Sequence, residues 1–231
     1  MIEDKNLSKE VLIDTAFAHH RKGDVKKAMN IYQKFLKNGY IDPRVFSNLG
    51  VIYKDQGRLE EAEDLTRKAI QLNPKYTIAF ANLANVLIAM KKYEEAEKYT
   101  RQAIQLDPKY DVPYSNLGLI LIALEKFKES EETLKKAIQL NPKNVNTLAN
   151  LAAVLIRLEK FKEAENFVRR AIDIDPNSAQ HHSQLSEILS RQHKFVEALA
   201  EIQKAIAKDP ESYIYQGELT RLKFVIEEIK S

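Results

Sequence analysis

Pro74, Pro108, Pro142, Pro176 and Pro210 fall at an unvarying interval of 34 residues, and the residues between them repeat in kind. A fixed period of this size marks one helix–turn–helix unit copied and stacked, which directs the chain into an α-solenoid. Such a chain offers a long shaped surface rather than a reactive centre.

Placing each proline at unit position 32 gives units 43–76, 77–110, 111–144, 145–178 and 179–212. Position 7 is Leu49, Leu83, Leu117, Leu151 and Leu185. Position 8 is always small (Gly50, Ala84, Gly118, Ala152, Ser186), as is position 20 (Ala62, Ala96, Ser130, Ala164, Ala198). Position 27 is always alanine. Bulkier residues fill position 4 (Phe46, Phe80, Tyr114, Leu148, then His182) and position 17 (Leu59, Tyr93, Phe127, Phe161, Phe195). A looser unit at 9–42 precedes these, with Tyr40 where the proline is due and Pro43 opening the next helix. A tail, 213–230, follows as a capping helix, with Ser212 as its N-cap. The chain thus reads as a single array over 1–231.

Positions 4, 7, 8 and 11 are three or four apart and share one face of a first helix, A. Positions 17, 20, 24, 27 and 28 do the same for a second, B. Small residues at 8 and 20 let the two backbones approach, and the proline stops helix B. Acidic pairs open helix B (Glu60-Glu61, Glu94-Glu95) and basic pairs close it (Arg67-Lys68, Arg169-Arg170), in keeping with the helix dipole. Glu97–Arg101 and Glu131–Lys135 add support at i,i+4.

Charge and composition narrow the function. Lys and Arg number 36 against 33 Asp and Glu, and the signs are interleaved, so no nucleic-acid or membrane surface is expected. With no cysteine there is no disulfide framework and no thiolate metal site. The N-terminal MIEDKNLSKE lacks the apolar run of a signal peptide, and the longest apolar stretch, Leu117–Leu124, is far below the ~20 residues of a membrane span. A cytoplasmic protein is expected. His19-His20 and His181-His182 are adjacent pairs that point to different sides of a helix. They read as solvated histidines, so no metal or cofactor is expected.

The 34-residue period with small residues at 8, 20 and 27 and proline at 32 resembles the tetratricopeptide repeat (TPR) family over roughly 9–212. The resemblance implies antiparallel helix pairs in a right-handed superhelix whose concave face is lined by A-helix positions 2, 5, 6, 9 and 12. It also implies protein or peptide binding rather than catalysis. The chain departs from the family pattern in having no tryptophan at position 4. Glycine at position 15 occurs only as Gly23 and Gly57.

On that implied face, position 6 reads Asn48, Asn82, Asn116, Asn150 and Gln184. Each amide can donate and accept, so the row could grip an extended peptide backbone. It is similar to the asparagine ladder of the O-linked N-acetylglucosamine transferases. Alternatively, these amides bond only within the array. Around them lie Ile88, Ile122 and Ile156 at position 12 and Asn85 and Leu119 at position 9, with Ile78, Val112, Ala81, Ala149, Ala153, Ile13 and Phe17. Apolar residues repeating on a face that packing does not need point to a ligand; otherwise they pack on the neighbouring A helix. The carboxylate clamp of chaperone cofactors needs lysine at position 5, where this chain has Ser47, Ala81, Ser115, Ala149 and Ser183, so that mode is absent.

The expected function is a non-enzymatic scaffold holding a protein or peptide in its groove. The alternative is the substrate-docking region of a larger enzyme such as a transferase; an engineered array is disfavoured by the irregular first and fifth units. A monomer is expected. The tail stripe of Tyr215, Leu219, Leu222, Ile226 and Ile229, widened by Phe224 and Val225, caps the last unit or forms a dimer contact.

Overall fold

The computed structural model describes residues 8–230. Residues 1–7, part of the stretch read above for a signal peptide, lie outside them. Among the described residues there are helices and no strands. They form two compact units that divide between Lys109 and Tyr110. The first holds α1 (Lys9–Arg21), α2 (Val25–Lys37), α3 (Pro43–Asp55), α4 (Leu59–Leu72), α5 (Thr77–Ala89) and α6 (Tyr93–Leu106). The second holds α7 (Asp111–Ala123), α8 (Phe127–Leu140), α9 (Val145–Arg157), α10 (Phe161–Ile174), α11 (Ala179–Arg191), α12 (Phe195–Lys208) and α13 (Tyr213–Lys230). Within each unit the helices pair in chain order, α1 on α2 through α11 on α12. The stack advances through α4 on α5 in the first unit, and through α8 on α9, α10 on α11 and α12 on α13 in the second.

The small residues at position 8 mark where A and B touch. A β-carbon on Gly50 would meet the Thr66 methyl, and one on Gly118 would overlap the Leu134 side chain, which is itself wholly buried. Ser130 Oγ donates to the Gly118 carbonyl at 2.8 Å, and Ser186 Oγ donates to the Ala198 carbonyl at 2.8 Å. These bonds satisfy buried hydroxyls and tie each A helix to its B helix.

The two inter-helix turns are written in different residues. Helices α4, α6, α8 and α10 end in an Asx turn: Asn73, Asp107, Asn141 and Asp175 each accept the backbone N–H two residues on, across the proline. Helix A ends at position 15 in the left-handed region, whichever residue stands there. Gly23 and Gly57 have φ near +80° and +76°, and Lys91, Glu125, Glu159 and His193 have φ between 58° and 61°. In each case the next N–H reaches back five residues, as Lys92 to Leu87 and Lys126 to Leu121, closing a Schellman motif. Loss of glycine therefore leaves the turn unchanged and adds local strain of ~1–2 kcal/mol per residue.

The helix-A face pattern was only half of the packing. Positions 3 and 10 are buried as well: Val45, Ala79, Pro113, Thr147 and His181 at position 3, and Ile52, Val86, Ile120, Val154 and Ile188 at position 10. A second stripe on each A helix is thus covered in addition to the one facing helix B. The expectation of solvated histidines fails at His181 and His182, both buried. His182 Nδ1 lies 2.7 Å from Glu201 Oε2 and its Nε2 lies 3.3 Å from the Pro176 carbonyl. His181 has both ring nitrogens buried without a partner, and burial pushes its pKa down. The basic pairs expected to close helix B fall short of its end, because α4 and α10 run on to Leu72 and Ile174 and carry no basic residue in the last turn. On α13, Leu222 is wholly buried, with Tyr215 and Leu219 packed on the core beneath. Ile229 and Phe224 stand mostly in water.

Candidate functional site

The A helices bury two stripes and leave a third, which carries positions 2, 6, 9 and 12. In the first unit, Asn48 on α3 and Asn82 and Asn85 on α5 are half-buried, and so is Ile88. Ile78 is 42% exposed. In the second unit, Asn116, Asn150 and Gln184 are half-buried. Leu119 beside them is 38% exposed, while Ile122 and Ile156 lean partly on the core below. Two of the expected apolar lining residues are elsewhere: Ile13 and Ala81 are wholly buried, Ile13 within the first core cluster.

The position-6 amides are partly spent inside the protein. Asn48 Nδ2 donates to Tyr32 Oη at 3.2 Å, and Asn82 Nδ2 donates to Ser47 Oγ at 2.9 Å. Gln184 Nε2 donates to the Ala149 carbonyl at 2.9 Å. Asn82 and Gln184 thereby reach position 5 of the preceding A helix. Thr147 makes a comparable link, donating to Ser115 Oγ at 2.9 Å. The Asn116 Nδ2 is buried with no partner. A primary amide offers two N–H groups and an oxygen with two lone pairs, so one internal bond leaves most of its capacity unspent. Burial pushes the Tyr32 phenol up to about 12, against the opposing effect of its bond from Asn48, so it stays neutral at ordinary pH.

A cleft of about 490 Å³ opens on this face in the first unit, lined by Phe17, His20, Arg21, Asn48, Tyr76 and Ile78. Of these, the sequence pattern pointed to Phe17, Asn48 and Ile78. It missed His20, Arg21 and Tyr76, which sit at positions 12 and 13 of the loosely matching first repeat and position 34 of the next. Position 12 of the first repeat, already in register through Ile13 and Phe17, would have pointed to His20, whereas Arg21 and Tyr76 stand at positions outside the implied face. In the second unit a cleft of about 600 Å³ lies between α11 and α13. There Arg221 donates to Ser190 Oγ at 2.7 Å and pairs with Glu218 at 2.6 Å. Among the described residues no cluster of His, Asp or Glu could hold a metal ion, and no helix is long and apolar enough to cross a membrane.

The repeat register agrees with what comparison with known proteins finds. A family model, the cilia and flagella-associated protein 70 C-terminal domain, a TPR domain, matches residues 3–218. The chain belongs to this tetratricopeptide repeat family. Among solved structures it is similar to pilF of Pseudomonas aeruginosa, with a TM-score of 0.79 at 19% identity over 92% of this chain and 97% of that one. A thermophilic TPR protein of Thermus thermophilus matches with a TM-score of 0.66 at 21% identity over 79% of this chain and 99% of its own. YrrB, a TPR protein with an unusual peptide-binding site, matches with a TM-score of 0.61 at 20% identity, covering 80% and 96%. No curated protein sequence matches the chain. At these identities the structural likeness establishes the fold, an all-α TPR solenoid.

Proposed function

We propose that this TPR protein is a non-enzymatic interaction module that holds a protein or peptide segment along the exposed stripe of its A helices. The observation that carries the reading is the composition of that stripe. Half-buried amides with unspent hydrogen-bonding capacity stand beside aliphatic side chains left partly in water, Ile78 and Leu119 foremost. Asn48, Asn82, Asn116, Asn150 and Gln184 would meet the backbone of an extended segment, and Asn85, Ile88, Leu119, Ile122 and Ile156 would meet its side chains. The peptide-binding site for which YrrB is named lies on the same kind of scaffold and supports the reading by analogy.

The test is replacement of Asn82 and Asn116 together with alanine. A partner captured by the intact protein from its source cells should bind the double variant at least about tenfold more weakly, which is ~1.4 kcal/mol. Stability should fall only by the worth of the Asn82–Ser47 hydrogen bond, ~0.5–1.5 kcal/mol. Undiminished binding, or a large drop in melting temperature without a binding defect, would assign the amides to the array alone.

A further inference from the structure

We propose that the cleft between α1, α3 and α5 is an anchor site for an apolar side chain flanked by an acidic one in a linear peptide segment. This rests on the groove-binding reading above and adds to it the chemistry of one ligand position. The floor and walls are apolar or aromatic: Phe17, Tyr76 and Ile78. A volume of about 490 Å³ is ample for one large side chain. The polar groups that line it, the Arg21 guanidinium, the His20 ring, the Asn48 amide and the Tyr76 hydroxyl, can each donate to an anion.

Arg44, Lys54 and His19, on the same helices, already face carboxylates of their own. Arg44, whose guanidinium lies 5.9 Å from the centre of the Phe17 ring, is held by Asp42 at 2.8 Å and Glu10 at 3.2 Å. Lys54 pairs with Asp55 at 2.9 Å, and His19 faces Asp24 at 3.2 Å. Arg21 has no carboxylate partner among the described residues, and Asp14, an acid of the same helix, lies about two turns earlier. Arginine stays charged at any relevant pH and takes a carboxylate in bidentate fashion, so a ligand acid is the group that complements it. The internal bond from Asn48 to Tyr32 fixes that amide at the cleft wall, leaving its second N–H for the ligand. Phe17 and His20 are likewise set by edge-on ring contacts to Tyr32, at 6.0 and 6.3 Å between centroids. The wall is therefore preorganised around a single buried phenol.

Two acetylated and amidated heptapeptides, Gly-Ser-Phe-Glu-Glu-Ser-Gly and its Phe-Gln-Gln counterpart, titrated into the full chain and followed by NMR, test this. The acidic peptide should bind about two- to fivefold more tightly, the upper range of one solvent-accessible charge pair. Its shift changes should centre on Phe17, His20, Asn48, Tyr76 and Ile78. Arg21→Gln should erase the difference between the two peptides while leaving the melting temperature unchanged, because Arg21 is exposed. An Ala-Glu-Glu peptide should lose most of the affinity. Equal affinity for both peptides, a preference that survives Arg21→Gln, or no binding at all would overturn the anchor site. Shift changes confined to Asn82, Ile88 and Asn85 would also overturn it, while leaving the groove reading standing.

Discussion

Along the B helices, the carboxylates of Glu63, Glu131 and Glu165, all at repeat position 21, are each gripped twice. Glu63 meets Arg67 of its own helix at 2.6 Å and Lys92 of the following turn at 2.8 Å. Glu131 meets Lys135 at 2.6 Å and Lys160 at 2.8 Å, and Glu165 meets Arg169 at 2.8 Å and Lys194 at 3.3 Å. The exposed stripe of the A helices is built differently, from amides such as Asn48, Asn82 and Gln184 with one internal bond each and from aliphatic groups at the water boundary. One face turns its charges onto the stack, and the other keeps its polar capacity available. The glutamates commit their charges to holding neighbouring repeats in register, whereas Asn82 and Gln184 give one bond each to the preceding repeat and, on the proposed reading, keep the remainder for a ligand.

Mutations can break that separation at its root or on one face at a time. The largest effect is expected where both faces depend on the same contact, at the A–B junction. Gly118→Ala would drive a methyl into Leu134 and should cost ~1–3 kcal/mol, seen as a lower melting temperature; Ala152→Leu should do the same at the next junction. A melting temperature equal to that of the parent protein would show that the junction tolerates a wider helix spacing.

A smaller effect is expected on the B face alone. Glu131→Gln removes the carboxylate shared by two lysines, each of them over 40% exposed, and should cost roughly 1 kcal/mol while leaving ligand affinity intact. Acidification offers the same test without mutation. Burial pushes the Glu63, Glu131 and Glu165 carboxyls upward, but bonds from their two cations, joined at Glu165 by the Gln192 amide, outweigh it and hold each below the usual 4.5. Their contribution is complete above the unfolded-state value and is lost as pH falls through the lower folded-state values. Stability measured by denaturant at descending pH should therefore drop below about pH 4.5, and Glu131→Gln should flatten that limb. An unchanged slope would mean the ladder contributes nothing measurable.

The smallest effect should appear at the helix-A turns, which belong to neither face. Glu125→Gly relieves a left-handed residue, and the relief is partly offset by glycine's freedom when unfolded. A gain of up to ~1 kcal/mol with no change in binding is expected in chemical denaturation. A loss would show that the Glu125 side chain has a role beyond the turn.

Much of the fold was legible because its information is local. Leucine at position 7, small residues at 8 and 20 and the Asx-Pro stop are spaced by the geometry of one helix pair, and they lead to the observed elements. The polar groups of the candidate site were legible by the same register, as with Asn48, Asn82 and Gln184. The partners of those amides were not. Ser47 lies 35 residues from Asn82, and Ala149 lies 35 from Gln184, so the bond depends on how one repeat sits on the last. His181 and His182 were misjudged for the same reason: their burial comes from elements packed over positions 3 and 4, not from their own helix.

The amino-acid sequence by itself determined the repeat length, the pairing of helices and which residues stand at each turn, since these follow from 3.6-residue periodicity and from backbone preferences within a few residues. Tertiary packing alone decided the burial of position 10, the second cation on Glu63, Glu131 and Glu165, and the cleft beside Arg21. Each of these arises where groups some 30 residues apart meet, and a helical period carries no record of such meetings.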